Sequence, residues 1–288
     1  MARDTYNLVQ SRYGDIAKYS LNTQQSKVED NIARAFGYTA EDLKVLPEKA
    51  NLALSCGNPV GFANLKEGET ILDLGSGSGI DVLLAAHKVG RNGQAIGVDM
   101  TDKMIELAKK NIQKAGLSNA RVIEANINCI PLPDSSVDCI ISNCVINLVP
   151  AADKERVFKE IARLLKPGGR VAISDILARQ PLPNTITQSM ALYVGCVAGA
   201  CQIGTYDEYL RQAGFEGTSV RNMRVPCTNL TAGVFIVDTK SDLNLYKQSS
   251  YLHQSSCCSG ACGFDTTSAI EELDFNEWVG QLLPSIPG

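Results

Sequence analysis

The sequence predicts an α/β fold: a doubly wound, mostly parallel sheet of seven strands, with an N-terminal helical cap and a C-terminal extension. Three observations predict it. Apolar runs of strand length alternate five times with amphipathic helical stretches, the pattern of parallel strands joined by crossover helices. The glycine-rich turn Gly75-Ser76-Gly77-Ser78-Gly79 ends the first of these runs and opens a helix. Two late strand candidates have only a short connection between them, which suits an antiparallel hairpin.

Residues 1–50 read as the helical cap. Val28, Ile32, Ala35 and Phe36 recur at helical spacing, and Pro47 closes a second short helix begun near Thr39. Residues 51–180 read as the ligand-binding domain, with strands at 70–74, 94–99, 121–124, 137–142 and 170–175. Its helices are expected at 80–90, at 101–115 behind a Thr101 cap, and at 153–165, followed by the turn Lys166-Pro167-Gly168-Gly169. Residues 181–240 form an insertion and a closing hairpin: Pro181 and Pro183 mark a loop, 185–200 and 206–213 read as helices, and 218–225 and 233–237 as strands. A polar tail, 241–288, carries Cys257, Cys258 and Cys262.

Bulk properties exclude several classes. With 288 residues, 44% of them hydrophobic, the chain can bury a substantial core. A net charge of −4 and the lack of any basic block argue against nucleic acid as a partner. The most apolar stretch, 190–201, is about half the length a bilayer needs, and the first residues lack the apolar core of a secretory signal. A cytoplasmic monomer that engages no membrane is expected. In that compartment the ten cysteines stand as thiols. Two histidines, His87 and His253, leave little scope for histidine metal or acid–base chemistry.

A strand that ends in glycines and opens a helix aims backbone N–H groups and a positive helix end at a ligand. Gly75, Gly77 and Gly79 give GxGxG, which by itself leaves simple turn chemistry open. Asp73 inside the strand and Asp99 at the end of the next one strengthen the ligand reading, because a carboxylate at the second position can accept both hydroxyls of a ribose. Dinucleotide oxidoreductases share that acid, but their third glycine comes one residue later. In this topology the fourth strand lies beside the first, which brings Asn143 and Cys144 next to the bound ligand.

The stretch from about 70 to 175 resembles the class I methyltransferases, which have a Rossmann-like fold and carry D-x-G-x-G-x-G. The resemblance implies S-adenosylmethionine as methyl donor, with Asp73, Gly75 and Gly77 on its methionine side, Asp99 on its ribose, Met100 flanking the adenine, and Asn126 and Ile127 at the adenine edge. A closer resemblance, over about 6–240, is to the arsenite methyltransferase family. It is carried by Cys56-Gly57-Asn58-Pro59, by Ser142-Asn143-Cys144-Val145-Ile146-Asn147-Leu148, and by Gly195-Cys196-Val197-Ala198-Gly199-Ala200. Tyr13-Gly14 also matches, as a segment that folds back over the donor.

That resemblance implies methyl transfer to trivalent arsenic, a soft ion suited to thiolates. Cys144 and Cys196 would be the core ligands, and Cys56 would join in the redox part of the cycle. A thiol reductant such as glutathione or thioredoxin is implied as well. The family usually carries a fourth cysteine upstream of the Cys56 position; this sequence has none there, so arsenite and monomethylarsenite both stand as first substrates. Cys129, Cys139 and Cys227 read as small core hydrophobes. Cys257, Cys258 and Cys262 read as auxiliary arsenic ligands, as a zinc site with His253, or as residues without a role. Two other functions stay open: methylation of a small organic acceptor, with Tyr193 or Asp175 as its acid–base group, and a thiol-rich binder of soft metals.

Overall fold

The computed structural model describes residues 2–22, 27–178, 181–215, 218–224 and 230–238. The chain opens with helices α1 (Ala2–Asn22), α2 (Lys27–Ala35), α3 (Ala40–Lys44) and α4 (Pro59–Phe62). Local sequence explains where the short ones begin. Thr39 and Asp42 form a reciprocal capping box at the start of α3. Asn58 accepts the Gly61 amide at 2.9 Å ahead of Pro59, which needs no amide donor at a first helical position.

Strands and helices then alternate: β1 (Thr70–Leu74), α5 (Ile80–Val89), β2 (Gln94–Asp99), α6 (Asp102–Ala115), β3 (Ala120–Glu124), β4 (Val137–Asn143), α7 (Ala151–Leu164) and β5 (Leu165–Ala178). Helices α8 (Asn184–Thr187), α9 (Met190–Val194) and α10 (Ile203–Gln212) follow, and the hairpin β6 (Thr218–Arg224) and β7 (Leu230–Asp238) closes the sheet. The strand order is β3-β2-β1-β4-β5-β7-β6; the first five strands are parallel, and β7 runs antiparallel to both its neighbours. The order reverses between β1 and β4, where a doubly wound sheet opens a crevice at its carboxyl edge.

Each face of the sheet buries its own core. Leu72, Leu74, Ile96, Val98 and Ile140 face α7 and α10, whose rings lock together: Phe158 meets Tyr206 edge-on at 5.6 Å and stacks on Tyr209 at 5.3 Å. Ile71, Ala95, Cys139 and Ile141 point the other way, onto Val82, Leu83 and Ala86 of α5. The period-two alternation within β1 and β4 makes this division. Among the described residues no helix is long and apolar enough to cross a membrane.

Several expectations are corrected. The cap contains a long helix ahead of the two read from spacing, and Val28 is exposed, because the buried face of α2 is set by Ile32 and Ala33. Thr101 occupies the N-cap of α6, but its hydroxyl makes no capping bond; its amide instead donates to Asp99 Oδ1 at 2.8 Å. The turn at 166–169 lies within β5 as an irregularity between the Val137–Leu165 and Cys139–Arg170 pairs. The single helix expected over 185–200 is two short ones. Ser189 caps the second by accepting the Leu192 amide, and Gly195 ends it. Cys129 is exposed rather than in the core, whereas Cys139 is buried. Cys227, His253 and the tail cysteines lie outside the described residues.

Candidate active site

At the switch between β1 and β4 an open cavity of about 970 Å³ is lined by Asp73, Gly75, Gly77, Asp99, Met100, Asn126, Ile127, Asn143 and Tyr13, all singled out from sequence. Gly14 packs on Thr101 instead. Two contacts within the protein shape the glycine turn. Gly75 has φ +65°, and a Cβ there would overlap both methyl carbons of Val145, the farther at 2.6 Å. The Gly77 amide donates to Asp99 Oδ2 at 3.0 Å, which ties the turn to the end of β2.

The pocket is strongly acidic. Asp73 is buried, and among the described residues no donor reaches its carboxylate; burial, then the charges of Asp81 and Asp99, push its pKa well up. Asp81, not singled out from sequence, lies in the first turn of α5 and accepts from Tyr38 Oη at 2.8 Å and Asn143 Nδ2 at 3.0 Å. Burial pushes it up to about 6 against the pull of those two donors. Burial also raises Asp99, opposed by the amides of Thr101 and Gly77. Three carboxylates around one cavity create a demand for a cationic ligand. A sulfonium carrying an ammonium and a ribose meets that demand.

Helix α1 covers the opening. Tyr6 Oη donates to Asp153 Oδ2 at 3.0 Å, and Gln10 Nε2 donates to the Met100 carbonyl at 2.7 Å. Tyr13 Oη donates to the Val194 carbonyl at 3.3 Å and lies 3.7 Å from Cys196 Sγ.

The three cysteines expected to act together do come together. Cys56, Cys144 and Cys196 belong to one buried cluster and line a second cavity of about 380 Å³, beside Arg12 and Tyr13. Cys144 lines both cavities. It follows β4 directly with φ +60°, and Cys196 has φ +64°, so two non-glycine residues adopt the left-handed conformation where their thiols converge. Cys196 Sγ donates to the Cys144 carbonyl oxygen at 2.9 Å. Burial, then the charge of Asp175, pushes the Cys196 thiol up to about 12, against the pull of Tyr13 and Lys154.

Cys56 and Cys144 are joined as a disulfide, with Cα atoms 5.5 Å apart, and Cys196 stands beside them as a free thiol. Among the described residues no group of three His, Cys, Asp or Glu side chains is arranged to hold a metal ion. Asn143 lines the donor cavity, yet its amide is spent on protein. Nδ2 donates to Tyr38 Oη, the Gly57 carbonyl and Asp81, while Oδ1 accepts the Cys56 amide at 3.0 Å. Tyr38 gave no signal in sequence, and Asp81 resembled an ordinary helix-start acid.

A methyltransferase-domain family model matches residues 65–214. The chain is 43% identical to the arsenite methyltransferase of Halobacterium salinarum over 67% of its own length and 49% of the relative's. It is 34% identical to that of Aquipseudomonas alcaligenes over 72% of its own length and 61% of the relative's. It therefore spans about half to three-fifths of these relatives. The crystal structure of an arsenic(III) S-adenosylmethionine methyltransferase from Chlamydomonas reinhardtii superposes with a TM-score of 0.56 at 30% identity, covering 74% of each chain. By the family model over half of its length and by its similarity to that solved structure, the chain belongs to the S-adenosylmethionine-dependent methyltransferases, in the family of the arsenic(III) enzymes.

Proposed function

We propose that the protein methylates trivalent arsenicals, arsenite or monomethylarsenite, held on the thiolates of Cys144 and Cys196. The observation that carries this reading is that Cys144 lines both cavities, so an acceptor on its sulfur stands at the boundary of the donor pocket. S-Adenosylmethionine bound there supplies an electrophilic methyl group. Asp99 takes the ribose hydroxyls, Asp73 the positive end of the methionine portion, and Met100, Asn126 and Ile127 surround the adenine. The arsenic lone pair is the nucleophile and needs no general base, so the protein's contribution is proximity and alignment. Helix α1, through Tyr13, lines both cavities and covers part of their opening.

Methyl addition raises arsenic from the trivalent to the pentavalent state, and two electrons return it. Cys56 and Cys144 can supply them by pairing, the state in which they stand here. A thiol reductant such as glutathione or thioredoxin then restores the dithiol, and the protein acts as a cytoplasmic monomer. The organic-acceptor reading loses a base: Asp175 is buried against Tyr206 and Asn147 and lines neither cavity.

The test is to incubate the reduced protein with labelled donor and, separately, arsenite and monomethylarsenite, then identify the arsenic species. Methylated arsenic from wild type, lost in both Cys144→Ser and Cys196→Ser, is expected. Full methylation by both variants would overturn the reading.

A further inference from the structure

Behind the thiol cavity lies a buried polar cluster that methyl transfer itself does not touch. Lys154, on α7, is only 2% exposed, which is rare for a lysine. Its Nζ donates to the Gly199 carbonyl at 2.6 Å and to Cys201 Sγ at 3.2 Å. Both acceptors belong to the loop after α9, the loop that carries Cys196. On the other side of that loop Asn147 Nδ2 donates to the Cys196 carbonyl at 3.1 Å, while the Asn147 amide donates to Asp175 Oδ2 at 3.2 Å. Gly199 packs so closely on Asn147 that a Cβ would overlap the Asn147 carbonyl.

Burying an ammonium is costly, and α7 would be equally helical with an apolar residue at 154, beside Val157 and Phe158. The charge therefore serves its partners: the loop, through two hydrogen bonds, and the buried Asp175 carboxylate, through its charge. We propose that Lys154 is a positioning residue of the acceptor site: its ammonium latches the Cys196-bearing loop to α7 through the Gly199 carbonyl and the Cys201 sulfur, holding the Cys196 thiol against Cys144. The role in turnover rests on the arsenical reading; the latch does not.

The experiment uses the reduced full chain with Lys154→Met and Lys154→Gln. Three quantities are read: affinity for S-adenosylmethionine by calorimetry, KM and kcat for monomethylarsenite, and the rate of Cys196 alkylation at one fixed pH, followed by mass spectrometry. Lys154→Met is expected to raise KM about tenfold, as for a buried acceptor left unpaired, with donor affinity unchanged and alkylation faster because the released loop uncovers the thiol. Lys154→Gln, a donor without charge, is expected to recover part of both. Wild-type KM and alkylation rate in Lys154→Met would overturn the proposal, as would parallel loss of donor and arsenical affinity, which would mark a general fold defect. If Lys154→Met does not fold, a wild-type alkylation rate in Lys154→Gln overturns it alone. Should wild type methylate no arsenical, the functional reading fails, while the alkylation rates still decide on the latch.

Discussion

Asn143 Oδ1 accepts the backbone amide of Cys56 at 3.0 Å, so the residue that ends β4 also fixes the loop that brings Cys56 to Cys144. The same side chain donates to Asp81 at the start of α5, linking the thiol pair to the wall of the donor pocket. Asn143→Ala removes an acceptor and leaves the Asp81 carboxylate, Tyr38 and the Gly57 carbonyl each short of a donor. A stability loss of about 2 kcal/mol is expected, the order for a buried polar network broken at one member. The Cys56–Cys144 disulfide is also expected to re-form more slowly after reduction. Urea unfolding and timed thiol counting check both; unchanged re-oxidation would separate Asn143 from the thiol chemistry.

Gly75→Ala drives a Cβ into Val145 at a backbone angle that L residues avoid. Either the turn or Val145 must move, and both line the donor cavity. Donor affinity is expected to fall at least about tenfold with the fold retained, since the turn lies at the sheet edge. Adding Val145→Ala relieves the overlap but not the positive φ, so recovery is expected to be partial. Calorimetric titration of the donor into single and double variants checks this; full affinity in Gly75→Ala would show that the ligand does not use the turn.

Much of this arrangement was legible in sequence, for identifiable reasons. The apolar runs at 70–74 and 94–99 are buried on both faces, a pattern few structures other than a central parallel strand satisfy, and their bounds match β1 and β2. Asp73, Asp99 and the glycines were legible because chain order fixes their place at a strand end. What escaped depends on distance in sequence. Tyr38 reaches Asp81 and Asn143 from the cap, and Lys154 reaches a loop some 45 residues on. The helix expected over 185–200 breaks at residues 188–189 and stops at Gly195, a weak helix former whose effect the apolar neighbours masked; beyond it, packing of Gly199 on Asn147 overrides the helical preference that remains.

Gly199→Ala tests that override. The added methyl overlaps the Asn147 carbonyl, which is backbone and cannot rotate away, so the loop must lift. Lifting it withdraws the Cys196 thiol from the Cys144 carbonyl, a 2.9 Å contact. Arsenical affinity is expected to drop about tenfold or more while donor affinity holds, because the donor cavity does not include Gly199. Parallel binding titrations of donor and monomethylarsenite make the comparison; equal losses would place the defect in the fold instead.

The acidity of the donor pocket gives a pH dependence whose sign differs between the free and the loaded protein. Burial raises Asp73 well above its ordinary value and Asp81 from near 3.8 to about 6. A carboxyl with a raised folded pKa lends its full stability below the unfolded value and loses it as pH rises through the folded one. The free protein is therefore expected to lose stability between about pH 4 and 6 from Asp81, and Asp73 contributes with the same sign. Donor binding runs the other way, because ionised Asp73 and Asp81 attract the cationic donor and their protonated forms do not. The rise in Tm caused by S-adenosylmethionine is thus expected to grow from pH 5 to 7.5. Added salt should reduce it only modestly, since the charges are buried. Thermal melts with and without donor across that range check the sign, and a donor-induced shift that is flat or falls with pH would mean that these carboxylates do not face the cationic end of the ligand.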